Sequence, residues 1–129
     1  AANAVLGEIL DRDLLAHVTT QGDKLDAALK AQFGDHDNIG DIRGRGLFRG
    51  IELVADRSTK APFDPSRGLA ARIKKEAFAA GLICYPMSGT IDGQYGDHVL
   101  LAPPFIIEDA QIDELVGKLS TAIDKALAA

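Results

Sequence analysis

Two consecutive prolines, Pro103 and Pro104, follow an apolar run and limit what that run can form. The run comes after a Gly96-Asp97 turn and is rich in Val and Leu, which is typical of a β-strand. Proline has no backbone N–H to donate to a sheet, so the strand must end before the two prolines. The sequence therefore predicts a short strand that stops at this point.

Apolar residues recur at helical spacing after the prolines. They are Ile112, Leu115, Val116, Leu119 and Ile123. Steps of three and four place them on one face of a helix. We expect an amphipathic helix from about Glu108 to the C-terminus, packed back over the strand.

The earlier elements are predicted from the same patterns. They are a helical segment over residues 1–10, a helix ending near Phe33, a strand from about Ile42 to Val54, a helix over about 67–80 and a strand from Leu82 to Tyr85. Asp11 or Asp13 is expected to cap the second helix with its side chain, and Gly34 to end it. This order predicts an α+β fold in which helices cover one face of a small sheet.

Composition limits the class of protein. A chain of 129 residues is the size of one domain, and its net charge of -5 disfavours nucleic acid as a partner. The single cysteine, Cys84, cannot form an internal disulfide, and the three histidines show no metal-ligand spacing with it. No apolar run approaches the roughly 20 residues that cross a bilayer. We expect a cytoplasmic protein without membrane or metal partners.

Three arginines, Arg43, Arg45 and Arg49, lie within one predicted strand. Alternation along a strand would put them on one face, where they could hold a small anion. The alternative is that they face solvent or pair with Glu52 or Asp41. A stand-alone binding or regulatory module that uses these arginines is therefore one functional hypothesis.

Three blocks of sequence carry a resemblance to a known family. They are residues 41–53 (DIRGRGLFRGIEL), 79–86 (AAGLICYP) and 96–107 (GDHVLLAPPFII), and residues 1–32 match as well. In this order they resemble the C-terminal small domain of class III, or omega, aminotransferases, which are pyridoxal-phosphate-dependent enzymes of fold type I. The first block is similar to the family's RGxGLxxGIEL strand.

The resemblance implies a domain organisation. Residues 1–129 would form the small domain, with 1–10 as the end of the helix that leaves the large domain and 11–129 as the α+β core. The sheet would be mainly antiparallel and three-stranded, with helices packed on one face. The full-length enzyme would be a homodimer, and the large domain of the same chain would be this domain's partner.

The resemblance also implies the chemistry. The enzyme would move an amino group between an amine or amino acid and a keto acid, with pyridoxal 5'-phosphate bound in the full-length protein. No lysine here lies in a motif similar to the family's cofactor lysine, because that machinery belongs to the preceding large domain. We expect the 129 residues alone to bind no cofactor and to be inactive.

The small domain of this family forms one wall of the substrate cleft and often supplies an arginine for the substrate carboxylate. That arginine would correspond here to Gly93, Tyr95 or Leu100, and no arginine follows Arg72. The expected cleft residues are Tyr95, Gln94, Met87 and Ser88. The alternative for Tyr95, Met87 and Ser88 is ordinary packing. Asp97 is expected to accept hydrogen bonds from turn amides.

Overall fold

The computed structural model describes residues 1–128, which form helices on one face of an antiparallel sheet. The helices are α1 (Ala2–Asp11), α2 (Leu14–Phe33), α3 (Leu69–Ala79) and α4 (Asp109–Ala128). The strands are β1 (Ile39–Arg45), β2 (Phe48–Leu53), β3 (Tyr85–Ser88) and β4 (Asp97–Leu101), in the sheet order β1-β2-β4-β3. Every strand pair is antiparallel. The predicted α+β class is confirmed.

The number of strands was predicted wrongly. The single strand expected from Ile42 to Val54 is a hairpin, in which β1 and β2 are joined through Gly46 and Leu47. Gly46 has a φ of 54°, a left-handed conformation that glycine adopts without strain and that reverses the chain here. The sheet therefore has four strands where three were expected.

The third strand lies later than predicted. The prediction placed it over Leu82 to Tyr85, whereas β3 begins at Tyr85. The residues that pair with β4 are those from Tyr85 to Ser88, so Met87 and Ser88 belong to this strand. The apolar character of residues 82–88 does not by itself show which of them pair with a neighbouring strand.

The core lies between the sheet and helices α2, α3 and α4. Each of these elements contributes fully buried apolar side chains, among them Leu25, Phe33, Ile51, Ile73, Val99, Leu119 and Ile123. The last helix, α4, packs on both α2 and α3. The predicted helix after the two prolines thus closes the core.

The start of α2 differs from expectation, whereas its end agrees with it. Asp13 is the residue before α2, but it has a φ of 46° and its side chain makes no capping hydrogen bond. Gly34 does end α2, in a right-handed conformation with a φ of -58°. Helix α1 has no buried residue. Within residues 1–128, no helix combines the length and apolarity needed to cross a membrane.

Candidate functional site

The sheet has one face without helices, which we call the outer face. Residues that pair across antiparallel strands project to the same side, so Gly50, Leu100 and Tyr85 share this face. Phe48 and Tyr85 are 58% and 60% exposed, whereas Val99, on the helix side, is fully buried. The helices therefore leave the outer face open.

A cleft of about 230 Å³ lies in the outer face. It is lined by Arg43, Gly44, Phe48, Gly50, Thr90, His98 and Leu100. Gly50 lines the cleft without a side chain, and an added Cβ atom there would be in ordinary contact, at 3.5 Å, with Cδ2 of Leu100. We call this the outer cleft. It combines an aromatic ring with a hydroxyl, an imidazole and a guanidinium group.

The loop between β3 and β4, residues 89–96, borders the outer cleft through Thr90. Its conformation depends on Asp92, whose carboxylate accepts backbone N–H bonds from Gln94 at 2.9 Å and Tyr95 at 2.8 Å. These two hydrogen bonds lower the pKa of the Asp92 carboxyl group, and the bond from Tyr95 has the larger effect. The backbone amide of Ile91 also donates to the Tyr95 carbonyl at 3.0 Å. The loop is therefore held by its own hydrogen bonds.

Asp97 was predicted to accept hydrogen bonds from the turn amides. This prediction was wrong, because Asp92 accepts them. Asp97 is 5% exposed and opposes Leu53 and Ser88 on the helix side of the sheet. Burial raises the pKa of its carboxyl group, and a hydrogen bond from the backbone of Ala70, at the start of α3, acts in the opposite direction. Asp92, which the sequence analysis did not single out, takes the turn role.

The four predicted cleft residues lie in or next to this loop. Gln94 and Tyr95 are both exposed, and Tyr95 retains 41% of its surface. Met87 opposes His98 and so projects to the outer face. Ser88 opposes Asp97 and projects to the helix side at the end of the sheet. The structure thus puts Met87 on the outer face and Gln94 and Tyr95 in the exposed loop, and it directs Ser88 away from that face. None of the four lines the outer cleft within the described residues.

The three arginines do not share a face, which contradicts the premise of the anion-binding hypothesis. Arg43 lies on the outer face and pairs with Asp41 at 2.9 Å and Glu52 at 2.6 Å. The hydrogen bond with Glu52 is the largest cause that raises the pKa of Arg43. This matches the alternative prediction for Arg43. Because the chain reverses between Arg45 and Arg49, Arg49 points to the helix side.

Arg49 is a buried structural residue. Its guanidinium group donates to Asp26 at 3.0 Å and to the carbonyl groups of Gly22, Gly44 and Gly46 at 2.9, 3.1 and 2.9 Å. All four acceptors belong to α2 or to the hairpin itself. Arg49 therefore fastens the β1–β2 hairpin to α2 and is not available to an anion.

The described residues do not fit pyridoxal phosphate. A cofactor of this kind needs a lysine that can reach its aldehyde carbon, and no lysine lines the outer cleft. Lys24, Lys30 and Lys118 are paired with carboxylates on the helices, at 2.7, 2.6 and 2.6 Å. Lys60 donates to the carbonyl of Gly40 at 2.6 Å. In the part of the chain that the structure describes, no cluster of His, Cys, Asp or Glu could hold a metal ion.

Phe48, Gly50, Thr90 and His98 line the outer cleft and were missed by the sequence analysis. Phe48 and Gly50 fell within the predicted strand from Ile42 to Val54, and none of the four residues was predicted to line a cleft. Only the pairing of β2 with β4 brings Gly50 and His98 onto one face. The one available signal was Gly50. A glycine inside a strand often marks a place where a ligand or another backbone approaches closely.

Comparison with known proteins supports a family assignment. The family model of class III aminotransferases matches residues 1–123. An uncharacterized aminotransferase of Schizosaccharomyces pombe is 48% identical over 94% of this chain and 27% of its own length. Taurine–pyruvate aminotransferase of Bilophila wadsworthia is 38% identical over 92% of this chain and 25% of its own.

Solved structures agree with the sequence relatives. A PLP-bound aminotransferase mutant from Vibrio fluvialis superimposes with a TM-score of 0.83 and 34% identity, over 95% of this chain and 25% of that one. The chain thus spans about a quarter of the length of the proteins it matches. With its α+β fold and its family match over nearly all residues, this chain belongs to the class III aminotransferase family.

Proposed function

We propose that this chain is the C-terminal small domain of a pyridoxal-phosphate-dependent aminotransferase, and that its outer face and β3–β4 loop form one wall of the substrate cleft. Residues 1–10 are the end of the helix that leaves the large domain, and residues 11–129 are the core. The full-length enzyme moves an amino group between an amine or amino acid and a keto acid. The observation that carries this proposal is the outer cleft, bordered by a loop of fixed conformation in a class III aminotransferase chain.

The reactive groups belong to the rest of the polypeptide in this proposal. Amino transfer of this type requires a lysine and a pyridoxal ring, and the described residues offer no lysine at the outer cleft. The chain alone is therefore inactive and binds no cofactor. The full-length enzyme is a cytoplasmic homodimer, as the family resemblance implies.

The β3–β4 loop sets the substrate class. Within residues 89–96, the chain has no arginine to form two parallel hydrogen bonds with a substrate carboxylate. Gln94 and Tyr95 are uncharged, and the Tyr95 hydroxyl can donate a single hydrogen bond. A substrate without a carboxylate near the amine, or with one bound elsewhere in the enzyme, suits this wall.

Changing Tyr95 to arginine in the full-length enzyme tests this wall. The new guanidinium group restores two parallel hydrogen bonds to a carboxylate, and a charged hydrogen bond contributes about 1.5–3 kcal/mol. We expect the ratio of kcat/KM for an amino-acid donor to kcat/KM for the matching amine to rise by about tenfold or more. Steady-state kinetics on a panel of paired donors measures it.

Phe78→Arg is the matched control for this variant. Phe78 is an aromatic residue on α3 that is 73% exposed, and the new arginine should leave the donor ratio unchanged. If the donor ratio is unchanged in Tyr95→Arg and the variant keeps full activity toward amines, Tyr95 does not line the substrate cleft.

A further inference from the structure

We propose that Asp92 is a positioning residue for substrate recognition, because its carboxylate fixes the conformation of the β3–β4 loop at the outer cleft. This inference rests on the proposed function, in which the loop is part of the wall of the substrate cleft. Asp92 does not itself line the outer cleft. It acts through the backbone on Tyr95 and Thr90, and it thereby decides where the loop presents its polar groups to a substrate.

The side chain of Asp92 closes the tip of the loop. Its Oδ1 atom accepts the backbone N–H bonds of both Gln94 and Tyr95, at 2.9 and 2.8 Å. An aspartate can bond the backbone two residues ahead of it because its side chain is short, and an ionised acceptor makes such bonds stronger than those between neutral groups. One carboxylate oxygen therefore holds two consecutive residues of the predicted substrate wall.

Backbone bonds extend this hold from Tyr95 to Thr90. The Tyr95 carbonyl accepts the N–H of Ile91 at 3.0 Å, and the Gly96 carbonyl accepts the N–H of Thr90 at 3.3 Å. Gly96 has a φ of 91°, and a Cβ atom on it would lie only 2.7 Å from Oγ1 of Thr90. Thr90 therefore packs directly against the residue that follows Tyr95. The tip and the base of the loop form one hydrogen-bonded unit.

Burial does not fix this conformation. Residues 90–95 are all exposed, and the apolar side chain of Ile91 retains 62% of its surface. A loop without buried apolar side chains has little else to select one conformation against its entropy. Removal of the Asp92 carboxylate should therefore move the loop, while the core on the other side of the sheet stays intact.

Thr90 is the residue through which the loop contributes to the outer cleft, where it lies with Phe48 and His98. Phe48 and His98 belong to β2 and β4, so the sheet holds them in place, whereas the position of Thr90 depends on the loop. A threonine hydroxyl can donate a hydrogen bond and accept one. The cleft thus suits an amine whose apolar body lies on Phe48 and whose neutral oxygen, in an ether or a hydroxyl group, bonds Thr90. A displacement of about 1 Å is enough to spoil such a contact.

Asp92→Ala in the full-length enzyme tests this role, and Asp56→Ala is the matched control. Oδ1 of Asp56 also accepts two backbone N–H bonds, from Ser58 at 2.7 Å and Thr59 at 3.3 Å, in an exposed loop. Asp56 does not line the outer cleft. The two variants thus remove the same kind of bonds from two surface loops, only one of which belongs to the proposed substrate wall.

The measurement is kcat/KM for pairs of amine donors in which an ether oxygen replaces a methylene, such as methoxypropylamine and pentylamine. A smaller folded fraction lowers both values equally, so the ratio within a pair reports on recognition alone. We expect Asp92→Ala to lower the ratio of the ether donor to the alkyl donor by about fivefold, the effect of one neutral hydrogen bond, and Asp56→Ala to leave it unchanged. Asp92→Asn keeps an acceptor oxygen and should retain most of the ratio.

Thr90→Val shows whether Asp92 acts through Thr90. It removes the hydroxyl group and should lower the same ratio by about fivefold, and Asp92→Ala should cause no further fall when it is added to Thr90→Val. An unchanged ratio in Asp92→Ala would overturn the positioning role. So would a ratio in Asp92→Asn as low as that in Asp92→Ala.

Hydrogen exchange of the loop is measured on the same full-length proteins by mass spectrometry. We expect the amides of Gln94 and Tyr95 to exchange about tenfold faster in Asp92→Ala than in the unaltered enzyme, and unchanged exchange in this loop would overturn the proposal. If Asp92→Ala does not fold, Asp92→Glu, whose carboxylate lies one methylene further out, takes its place. A full-length protein without transaminase activity contradicts the proposed function, and exchange in the loop then decides whether Asp92 fixes it.

Discussion

Arg49 shows how one residue connects distant parts of the chain. Its guanidinium group joins the β1–β2 hairpin to α2 through Asp26 and the carbonyl of Gly22. The ion pair is shielded, since the side chains of Arg49 and Asp26 are only 9% and 22% exposed. A buried charge is tolerated here because every bond it needs is supplied. Its removal should therefore affect the hairpin as a whole.

We expect Arg49→Met to lower the free energy of unfolding by about 3 kcal/mol, because it removes the donor to three carbonyl groups and leaves Asp26 with Lys30 alone. Urea unfolding followed by circular dichroism measures the change. Arg45→Met is the control: Arg45 is exposed on the outer face, and its loss should change the stability by less than about 0.5 kcal/mol. Similar values for the two variants would show that the Arg49 bonds add little.

At the scale of elements, the contact between α2 and the hairpin depends on two glycines. Gly22 lies inside α2, where glycine is normally unfavourable, and a Cβ atom on it would lie 2.5 Å from the carbonyl carbon of Gly46. The backbones can approach this closely because Gly22 has no side chain, and a Cβ atom on Gly46 would lie 3.1 Å from Cγ1 of Val18, also on α2. The same approach brings the Gly22 carbonyl within reach of Arg49.

Gly22→Ala and Gly117→Ala should therefore have opposite effects. Gly117 lies in α4 with nothing within 4 Å of an added Cβ atom, so alanine there should stabilise the chain by about 0.5–1 kcal/mol. At Gly22 the clash with backbone should outweigh this gain and destabilise the chain by about 2 kcal/mol. Urea midpoints of both variants measure the effects. A stabilising Gly22→Ala would contradict the tight contact.

At the scale of the whole molecule, the helices cover one face of the sheet and the outer face carries the outer cleft. The lysines follow this division. Lys24, Lys30, Lys118 and Lys125 lie on α2 or α4, and Lys74 and Lys75 lie on α3. None of these residues lines the outer cleft. We therefore expect no lysine of this chain to form a Schiff base with the cofactor.

Incubation of this chain with pyridoxal phosphate and reduction with borohydride should give no lysine modified in stoichiometric amount. Mass spectrometry of the peptides measures the modification, and absorbance near the aldimine band measures binding. The expected trace modification is spread over the exposed lysines. One lysine modified in full, with a defined aldimine band, would place the cofactor site within these residues.

Local chemistry was sufficient for part of the fold. The missing N–H of Pro103 ends β4, and the helical spacing from Ile112 to Ile123 predicts α4; both rest on residues close together in the chain. The hairpin at Gly46 was missed because apolar and arginine residues continue on both sides of it, as they would in one long strand. That Met87, Gln94 and Tyr95 contact substrate stays a prediction.

The sequence alone determined the α+β class and the end of β4, because these depend on covalent constraints and short-range periodicity, and the resemblance of three sequence blocks indicated the family. Only the tertiary structure decided that Arg49 and Asp97 are buried, that Arg43 pairs with Glu52, and that Gly50 and His98 meet in one cleft. Those outcomes depend on which strands pair and in which register, a choice made by contacts between residues far apart in the chain. The open outer face follows from the same choice.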